Sequence, residues 1–274
     1  MATRSKTGGQ AARTQAKNIA SIAPAADRDT AFYLYGITQA GDSAGAAVSQ
    51  PGIDGSAPVK AIACDPFLCW ISQVSRRGFA DPLQERMEDI DWLAAAGLRH
   101  QRVVGELARQ AATLPARFGT IFLSVESLQK DIKVRRAELN RSFRLIAATD
   151  EWGVKIFRAA RPAVPRVATV SGADYLRRKA EEFSARKEGG SRELPARIKS
   201  FAAELKKMAR AVAPGGEVSR GQADLEWQAA VLLPRKAKPR FDRAVRRFAQ
   251  ASNQAYRIEV TGPWPPYSFV RHGR

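Results

Sequence analysis

The segment from Gly36 to Gly45 carries two short patterns that are associated with nucleotide binding or catalysis. The string GITQAGDS follows a predicted strand and nearly matches the phosphate-binding pattern GxxxxGKS/T, but Asp42 stands where the pattern needs a lysine. A carboxylate at that point repels phosphate. The string GDSAG matches the nucleophile-elbow pattern GxSxG around Ser43, but no helix pattern follows it and the chain has only two histidines as candidate bases. We therefore interpret the segment as a connecting loop and predict no catalytic residue.

His100 lies on the apolar stripe of a predicted helix, which indicates a partly buried core residue with one ring nitrogen satisfied. No nucleophile or carboxylate at helical spacing accompanies it, so a general-base role has little support. The other histidine, His272, is far away in sequence, and the two together lack the ligand spacing of a zinc site. We predict no metal and no cofactor.

Cys64 and Cys69 lie five positions apart in an apolar run. Alternation along a strand would point them to opposite faces, which argues against a disulfide between them. We expect both to be reduced core residues.

The length and net charge of the chain indicate its number of domains and the kind of partner it attracts. A chain of 274 residues favours two domains, and its net charge of +18 attracts polyanions or acidic surfaces. No 18-residue apolar run is present, so we expect no membrane span and a cytoplasmic location. The first 26 residues are basic and acid-free, so residues 1–28 are predicted to be a disordered tail, an interpretation favoured over a transit peptide.

The N-terminal half alternates strand and helix patterns. A Pro at position 66 after Asp65 predicts a hairpin turn, and Ser124 is a suitable helix cap. The predicted strands are 32–37, 59–64, 67–74, 114–122 and 152–157, and helices are predicted from Leu93 and after Ser124.

Starting from the strand at 152–157, the C-terminal half is predicted to contain a strand, helices, a strand, a helix and a strand. One helix covers 173–183, and a clearer stripe runs from Leu194 to Val212 in steps of 4 and 3, ended by Pro214-Gly-Gly. A strand at 225–233, a helix at 239–253 and a strand at 256–260 follow. This order predicts an α+β sandwich of ferredoxin-like character.

The outer faces of the C-terminal helices are basic. Either these side chains simply solvate helices whose inner faces form the core, or they form a docking surface. Charge of this sign makes a nucleic-acid-binding protein the alternative function, but the region lacks the surface aromatics on which single-stranded bases stack, so no nucleic acid is expected. The side chains concerned include Lys199, Lys206, Lys207 and Arg210.

The segment 261–270, TGPWPPYSFV, is the most unusual part of the chain. Its three prolines fix φ and lack a backbone donor, so we expect no helix there and an extended or turned backbone. Because a predicted strand precedes it, we expect the segment to pack back onto the fold.

This ending resembles the closing motif of the gas vesicle protein F and L family. Four upstream segments agree with that family in the same order, so five motifs cover roughly residues 31 to 270, although they do not separate F-type from L-type members. The upstream motifs are FYLYGI at 32–37, LPARFGTIF at 114–122, EWGVKIF at 151–157 and DYLR at 174–177.

The resemblance implies an accessory protein of gas vesicle assembly that binds the small apolar shell protein and other accessory proteins, without catalysis. It implies two α+β sandwich domains, 29–145 and 146–274, of which the second is ferredoxin-like with an extra basic helix and the Pro/aromatic ending. The signature or partner-binding residues it marks are Arg117, Phe118, Gly119, Trp152, Lys155, Tyr175, Pro263, Trp264, Pro265, Pro266, Tyr267 and Phe269.

Arg117 poses a specific question, because an Arg within a predicted apolar strand needs a partner for its planar fork. It either contacts a partner protein or locks two elements through a buried carboxylate such as Glu151 or Glu106.

Overall fold

A computed structural model describes residues 29–42, 45–159, 194–215 and 224–270, which divide into two compact units. The first unit holds the described residues of 29–152 together with 232–235 and 262–270, and the second holds those of 153–231 and 236–261. The predicted domain ranges 29–145 and 146–274 stay a prediction. The predicted tail 1–28, Ser43, the helix 173–183 with Tyr175, and His272 lie outside the described residues.

The first unit is built on a five-stranded sheet around β1 (Thr30–Gln39). On one side β1 pairs antiparallel with β3 (Phe67–Ser75), which pairs with β2 (Lys60–Cys64) in the hairpin predicted around Asp65-Pro66. On its other side β1 pairs antiparallel with β4 (Thr113–Pro115) and β5 (Ile121–Phe122). The sheet order is therefore β2-β3-β1-β4, with β5 beside β1.

Helices cover both faces of this sheet. The short α1 (Leu83–Arg86) precedes α2 (Ile90–Gln110), whose buried stripe joins Tyr33 and Tyr35 of β1 in one core cluster. On the opposite face, Phe143 of α3 (Val125–Ile146) stacks on Phe67 at a ring distance of 5.5 Å. Covering on both faces explains why the interior of β1 is buried without alternation.

The second unit contains a ferredoxin-like arrangement, as predicted. The elements that lie wholly or mostly in this unit are β6 (Thr149–Arg158), α4 (Ala196–Met208), β7 (Ala211–Pro214), β8 (Leu225–Pro234), α5 (Lys238–Ala251) and β9 (Tyr256–Trp264). The sheet order β7-β8-β6-β9 places the first and third strands of the series in the centre. Phe201 of α4 packs on Phe248 of α5 with ring centroids 4.7 Å apart.

Three expectations from the sequence were wrong. The predicted strand 114–122 is two short strands, because Gly119 has a φ of +82° and Thr120 bonds back to the Arg117 carbonyl, which turns the chain. The stripe through Val212 does not remain helical, because α4 ends at Met208 and Val212 joins the sheet in β7. The last turn before Val270, Tyr267–Phe269, is a single 3-10 helix, although no helix was expected there.

The cysteines are free and buried as expected, but the argument from opposite faces was wrong. Cys64 lies in β2 opposite Phe67, and Cys69 lies two residues further along β3, so the two thiols share one face of the hairpin. A hydrogen bond between the two thiols lowers the pKa of Cys64 and, together with burial, raises the pKa of Cys69.

Candidate functional site

A pocket of about 740 Å³ opens in the first unit where three segments meet. These are α2, the β4–β5 loop of residues 116–120, and the segment that follows β9. The residues that line the pocket are Leu93, Gly97, His100, Gln101, Arg117, Phe118, Tyr267, Ser268 and Val270.

Helix α2 supplies one wall of the pocket. The helix begins after Asp89, whose carboxylate accepts hydrogen bonds from the backbone N–H groups of Asp91 and Trp92. Its lining residues recur at intervals of four, three and one from Leu93 to Gln101, which places them on one face. The neighbouring stripe of α2 is buried against β1, so the sheet fixes the orientation of this wall.

The β4–β5 loop supplies the second wall. The loop leaves the edge of β1 after Ala116, whose N–H donates to the Tyr35 carbonyl, and returns where Leu34 donates to the Thr120 carbonyl. Between these anchors the Phe118 ring packs 5.9 Å from His100. The side chain of its neighbour, Arg117, is exposed.

The segment after β9 supplies the third wall. Pro265 is buried and its carbonyl accepts a hydrogen bond from the N–H of Tyr267, which starts the 3-10 turn. Ser268 is anchored to Glu151 of β6 by two bonds, from its N–H to Oε2 at 3.0 Å and from its hydroxyl to Oε1 at 2.7 Å. The expectation that the ending packs back onto the fold is confirmed for Pro265 and Tyr267, whereas Trp264 is exposed.

His100 is the most enclosed polar residue of the pocket, with only 3% of its surface exposed. Its Nδ1 lies 2.9 Å from the Tyr33 hydroxyl, which also accepts a hydrogen bond from the N–H of Gly119. Burial lowers the pKa of His100 to about 4, so the ring is neutral at pH 7. The nearby backbone of Ala116 opposes this lowering of the pKa. One satisfied nitrogen is what the sequence predicted.

The hydroxyl groups around His100 keep their protons. Burial raises the pKa of Tyr33 and of Tyr267, and raises the pKa of Tyr35 to about 12. Burial also raises the pKa of Glu151, although its hydrogen bonds with Ser268 oppose that shift. The buried Tyr267 hydroxyl has no hydrogen-bond partner among the described residues.

Arg117 has no carboxylate partner within the described ranges, so the hypothesis of a buried ion pair was wrong. Glu151 is occupied by Ser268, and Glu106 accepts hydrogen bonds from the 49–50 segment of the chain. Arg117 therefore lines the pocket as an exposed residue without an ion-pair partner among the described residues.

The structure brings together only part of the predicted signature set. Arg117, Phe118 and Tyr267 line the pocket, and Gly119 supports it through its N–H bond to Tyr33. Of the others, Trp152 and Lys155 lie in β6, Pro263 and Trp264 in β9, Pro265 and Pro266 between β9 and the last turn, and Phe269 in that turn.

Sequence reasoning missed several residues of the site. Leu93, Gly97 and Gln101 share a helical face with His100, and this spacing was the available signal. No local signal connected Ser268 with Glu151, which lies 117 positions earlier.

The arrangement is suited to binding. Ser268 donates to Glu151, whereas His100 bonds to Tyr33, so no relay of acid, base and nucleophile links these side chains. Among the described residues, no group of three or more His, Cys, Asp or Glu side chains is placed to hold a metal ion. None of the described helices has the length and hydropathy needed to cross a membrane.

The fold and the pocket define a two-unit α+β protein with a partly apolar binding site. The family model for "Gas vesicle synthesis protein GvpL/GvpF" matches residues 31–271 of this chain. Gas vesicle protein L of Streptomyces sp. (strain CB03234) is 31% identical over 205 residues, covering 69% of this chain and 74% of that protein. The chain therefore belongs to the GvpL/GvpF family of gas vesicle proteins.

Two crystal structures have the same fold. Gas vesicle protein GvpF from Anabaena sp. PCC7120 superposes with a TM-score of 0.62 at 21% identity, covering 89% of this chain and 98% of that chain. Gas vesicle protein GvpF from Microcystis aeruginosa gives a TM-score of 0.58 at 20% identity, covering 88% of this chain and 99% of that chain.

Proposed function

We propose that this chain is a non-enzymatic accessory protein of gas vesicle assembly that binds the small apolar shell protein and other accessory proteins in the cytoplasm. The family match over residues 31–271 carries the proposal. A shell protein that faces gas on one side is very apolar and aggregates before assembly, so a highly charged partner with an apolar pocket can keep it in solution.

The pocket of the first unit supports this proposal and supplies the contact surface. Leu93, Phe118 and Val270 give it apolar walls, and the aromatic cluster beneath Phe118 holds that wall in place. An apolar side chain of the shell protein that enters this pocket is removed from water. For a residue such as Leu, this burial contributes roughly 1.5 to 3 kcal/mol to the binding free energy.

A direct test mixes the purified chain with shell protein and follows aggregation of the shell protein by light scattering. The wild-type chain is expected to slow aggregation, and unchanged aggregation would show that the proposed function is wrong. The matched variant is Gly97→Leu, because a Cβ at Gly97 meets no atom within 4 Å and the larger side chain fills the pocket without strain in the helix.

We expect Gly97→Leu to lose most of the protective effect. The control is Gly105→Ala, whose added Cβ lies 3.7 Å from the flexible end of Arg109 and away from the pocket lining. If Gly97→Leu protects the shell protein as well as the control does, the pocket is not the contact surface.

A further inference from the structure

We infer that the pocket recognises the C-terminal residue of a protein partner, with its carboxylate on Arg117 and its apolar side chain against Phe118. This inference rests on the proposed function of the pocket as a partner-binding site, and it adds the chemical class of the ligand. Two features of the described residues support it.

The first feature is the free guanidinium of Arg117. Its side chain is exposed at the pocket and has no ion-pair partner in the ranges that the structure describes. The nearest candidates from the sequence, Glu106 and Glu151, are bound to other groups. A planar guanidinium with free donors matches a carboxylate in a bidentate arrangement, and charge-assisted bonds of this kind are about twice as strong as neutral ones.

The second feature is the apolar surface directly beside this charge. Phe118 follows Arg117 in the chain, and its ring packs 6.3 Å from Trp92 and 5.9 Å from His100. A ligand that satisfies both residues carries a carboxylate and an apolar side chain on adjacent atoms. A C-terminal Leu, Ile, Val or Phe has this combination on one residue, whereas an internal Asp or Glu places its charge on a separate side chain.

The test measures binding of short synthetic peptides to the full chain by isothermal titration calorimetry. The first probe is acetyl-Gly-Ser-Ala-Leu with a free carboxylate, and the second is the same peptide with a C-terminal amide. We expect the free acid to bind roughly tenfold or more tightly than the amide, because one charge-assisted pair is lost. Equal binding of the two peptides would overturn the inference.

Variants of the chain test which residue binds the carboxylate and which part of the pocket binds the apolar side chain. Arg117→Gln is expected to abolish the preference for the free acid, and Arg117→Lys to keep only part of it, since a lysine lacks the planar fork. Gly97→Leu is expected to weaken both peptides because it fills the apolar part of the pocket. A preference that survives in Arg117→Gln contradicts the assignment of the carboxylate site.

A third probe separates a chain terminus from an internal acid. It is the amidated peptide acetyl-Gly-Asp-Ala-Leu, and equal binding of this probe and the free acid would overturn recognition of a terminus. The calorimetry uses no shell protein, so its outcome is independent of the aggregation assay. If the chain prefers the free acid but does not protect the shell protein, the proposed function is wrong. If it protects the shell protein but does not prefer the free acid, only this inference is wrong.

Discussion

His100 links the sheet, the β4–β5 loop and the last turn of the first unit. It bonds to Tyr33, stacks on Tyr35 and packs against Phe118 and Tyr267 with ring distances between 5.8 and 6.3 Å. A neutral imidazole in this position accepts one bond and presents one donor, a role that charged Lys or apolar Leu cannot fill. The residue therefore connects the core with the binding surface.

The low pKa of His100 predicts a pH-dependent stability. The unfolded state binds the proton near pH 6.5 and the folded state only near pH 4, so the unfolded state holds more protons between these values and stability falls as pH falls. Between about pH 7 and about pH 5.5 we expect the free energy of unfolding to drop by about 1 kcal/mol from this group. Denaturant titrations of the wild type and of His100→Gln at both pH values measure it.

The variant His100→Gln serves as the reference, because it lacks the titrating ring. Glu151 acts in the opposite direction, since its raised pKa makes the folded state hold more protons and stabilises it as pH falls. Comparing the two proteins cancels this contribution. An equal pH dependence in the two proteins would show that His100 does not carry the effect.

Ser268 fixes the turn that forms one wall of the pocket. We expect Ser268→Ala to lower the free energy of local opening of this turn by about 1 to 2 kcal/mol. One of the two hydrogen bonds from Ser268 to Glu151 is lost, while the carboxyl group stays buried. Hydrogen exchange at the amides of Tyr267 and Phe269 should accelerate accordingly.

The control for this change is Ser252→Ala, which removes the bond from the hydroxyl of the buried Ser252 to the Phe248 carbonyl at the end of α5. It should leave exchange at Tyr267 and Phe269 unaltered. If both variants accelerate exchange there to the same degree, the Glu151 anchor is not specific to the turn.

At the scale of elements, the β4–β5 loop decides the shape of the pocket. It is anchored to β1 at both ends, and its conformation depends on Gly119, whose φ of +82° is costly for other residues. The N–H of Gly119 also positions the Tyr33 hydroxyl under His100. A distortion of this loop therefore reaches Arg117, Phe118 and His100 together.

Gly119→Ala tests this dependence. We expect a loss of about 1 to 3 kcal/mol in the free energy of unfolding, because an L residue at this φ is strained and its Cβ would lie 3.3 Å from Leu83. Gly105→Ala in α2 is the matched change and should be neutral or stabilise by up to about 1 kcal/mol. Equal stability of the two variants in urea would contradict a special role for the loop.

Helices α4 and α5 carry nine Lys and Arg side chains against two acids. The acids are paired, Glu204 with Arg247 and Asp242 with Lys238, and the aromatic residues Phe201, Phe241 and Phe248 are buried. The outer surface of α4 and α5 therefore offers charge without exposed rings. The stacking platform of a single-strand binder is missing from this surface.

For the whole molecule, the net charge of +18 makes nucleic acid binding the alternative function. An experiment must distinguish it from binding of the shell protein. Phosphate contacts lose roughly 10³ to 10⁵ in affinity between about 50 and about 200 mM salt when 6 to 10 of them form. Burial of an apolar side chain changes little over this range. We expect capture of shell protein by the immobilised chain to stay nearly constant across a salt titration.

A 20-nucleotide DNA serves as the comparison in that titration, measured on the same immobilised chain. We expect any DNA binding to disappear as salt rises while shell protein is retained. A steep loss of shell protein with salt would mean that the basic surface, and not the pocket, provides the contact.

The sequence by itself determined most of the strands and helices that the structure describes, although not the turn within 114–122 or the end of α4. The aromatic and β-branched residues of FYLYGI predicted β1, Ser124 predicted the start of α3, where its side chain accepts from the Ser127 N–H, and the element order of the second half predicted a ferredoxin-like sheet. These features depend on local periodicity, caps and turns, and a short stretch of chain contains that information.

Only the tertiary structure decided where the pocket lies. It placed Val212 in a strand, because pairing with a neighbouring strand outweighed the helical stripe, and it turned the chain between Pro115 and Ile121. It also joined Ser268 to Glu151 and left Arg117 free. Periodicity indicates which face of an element is buried, but the partner of a polar group depends on segments that meet only after the chain has folded.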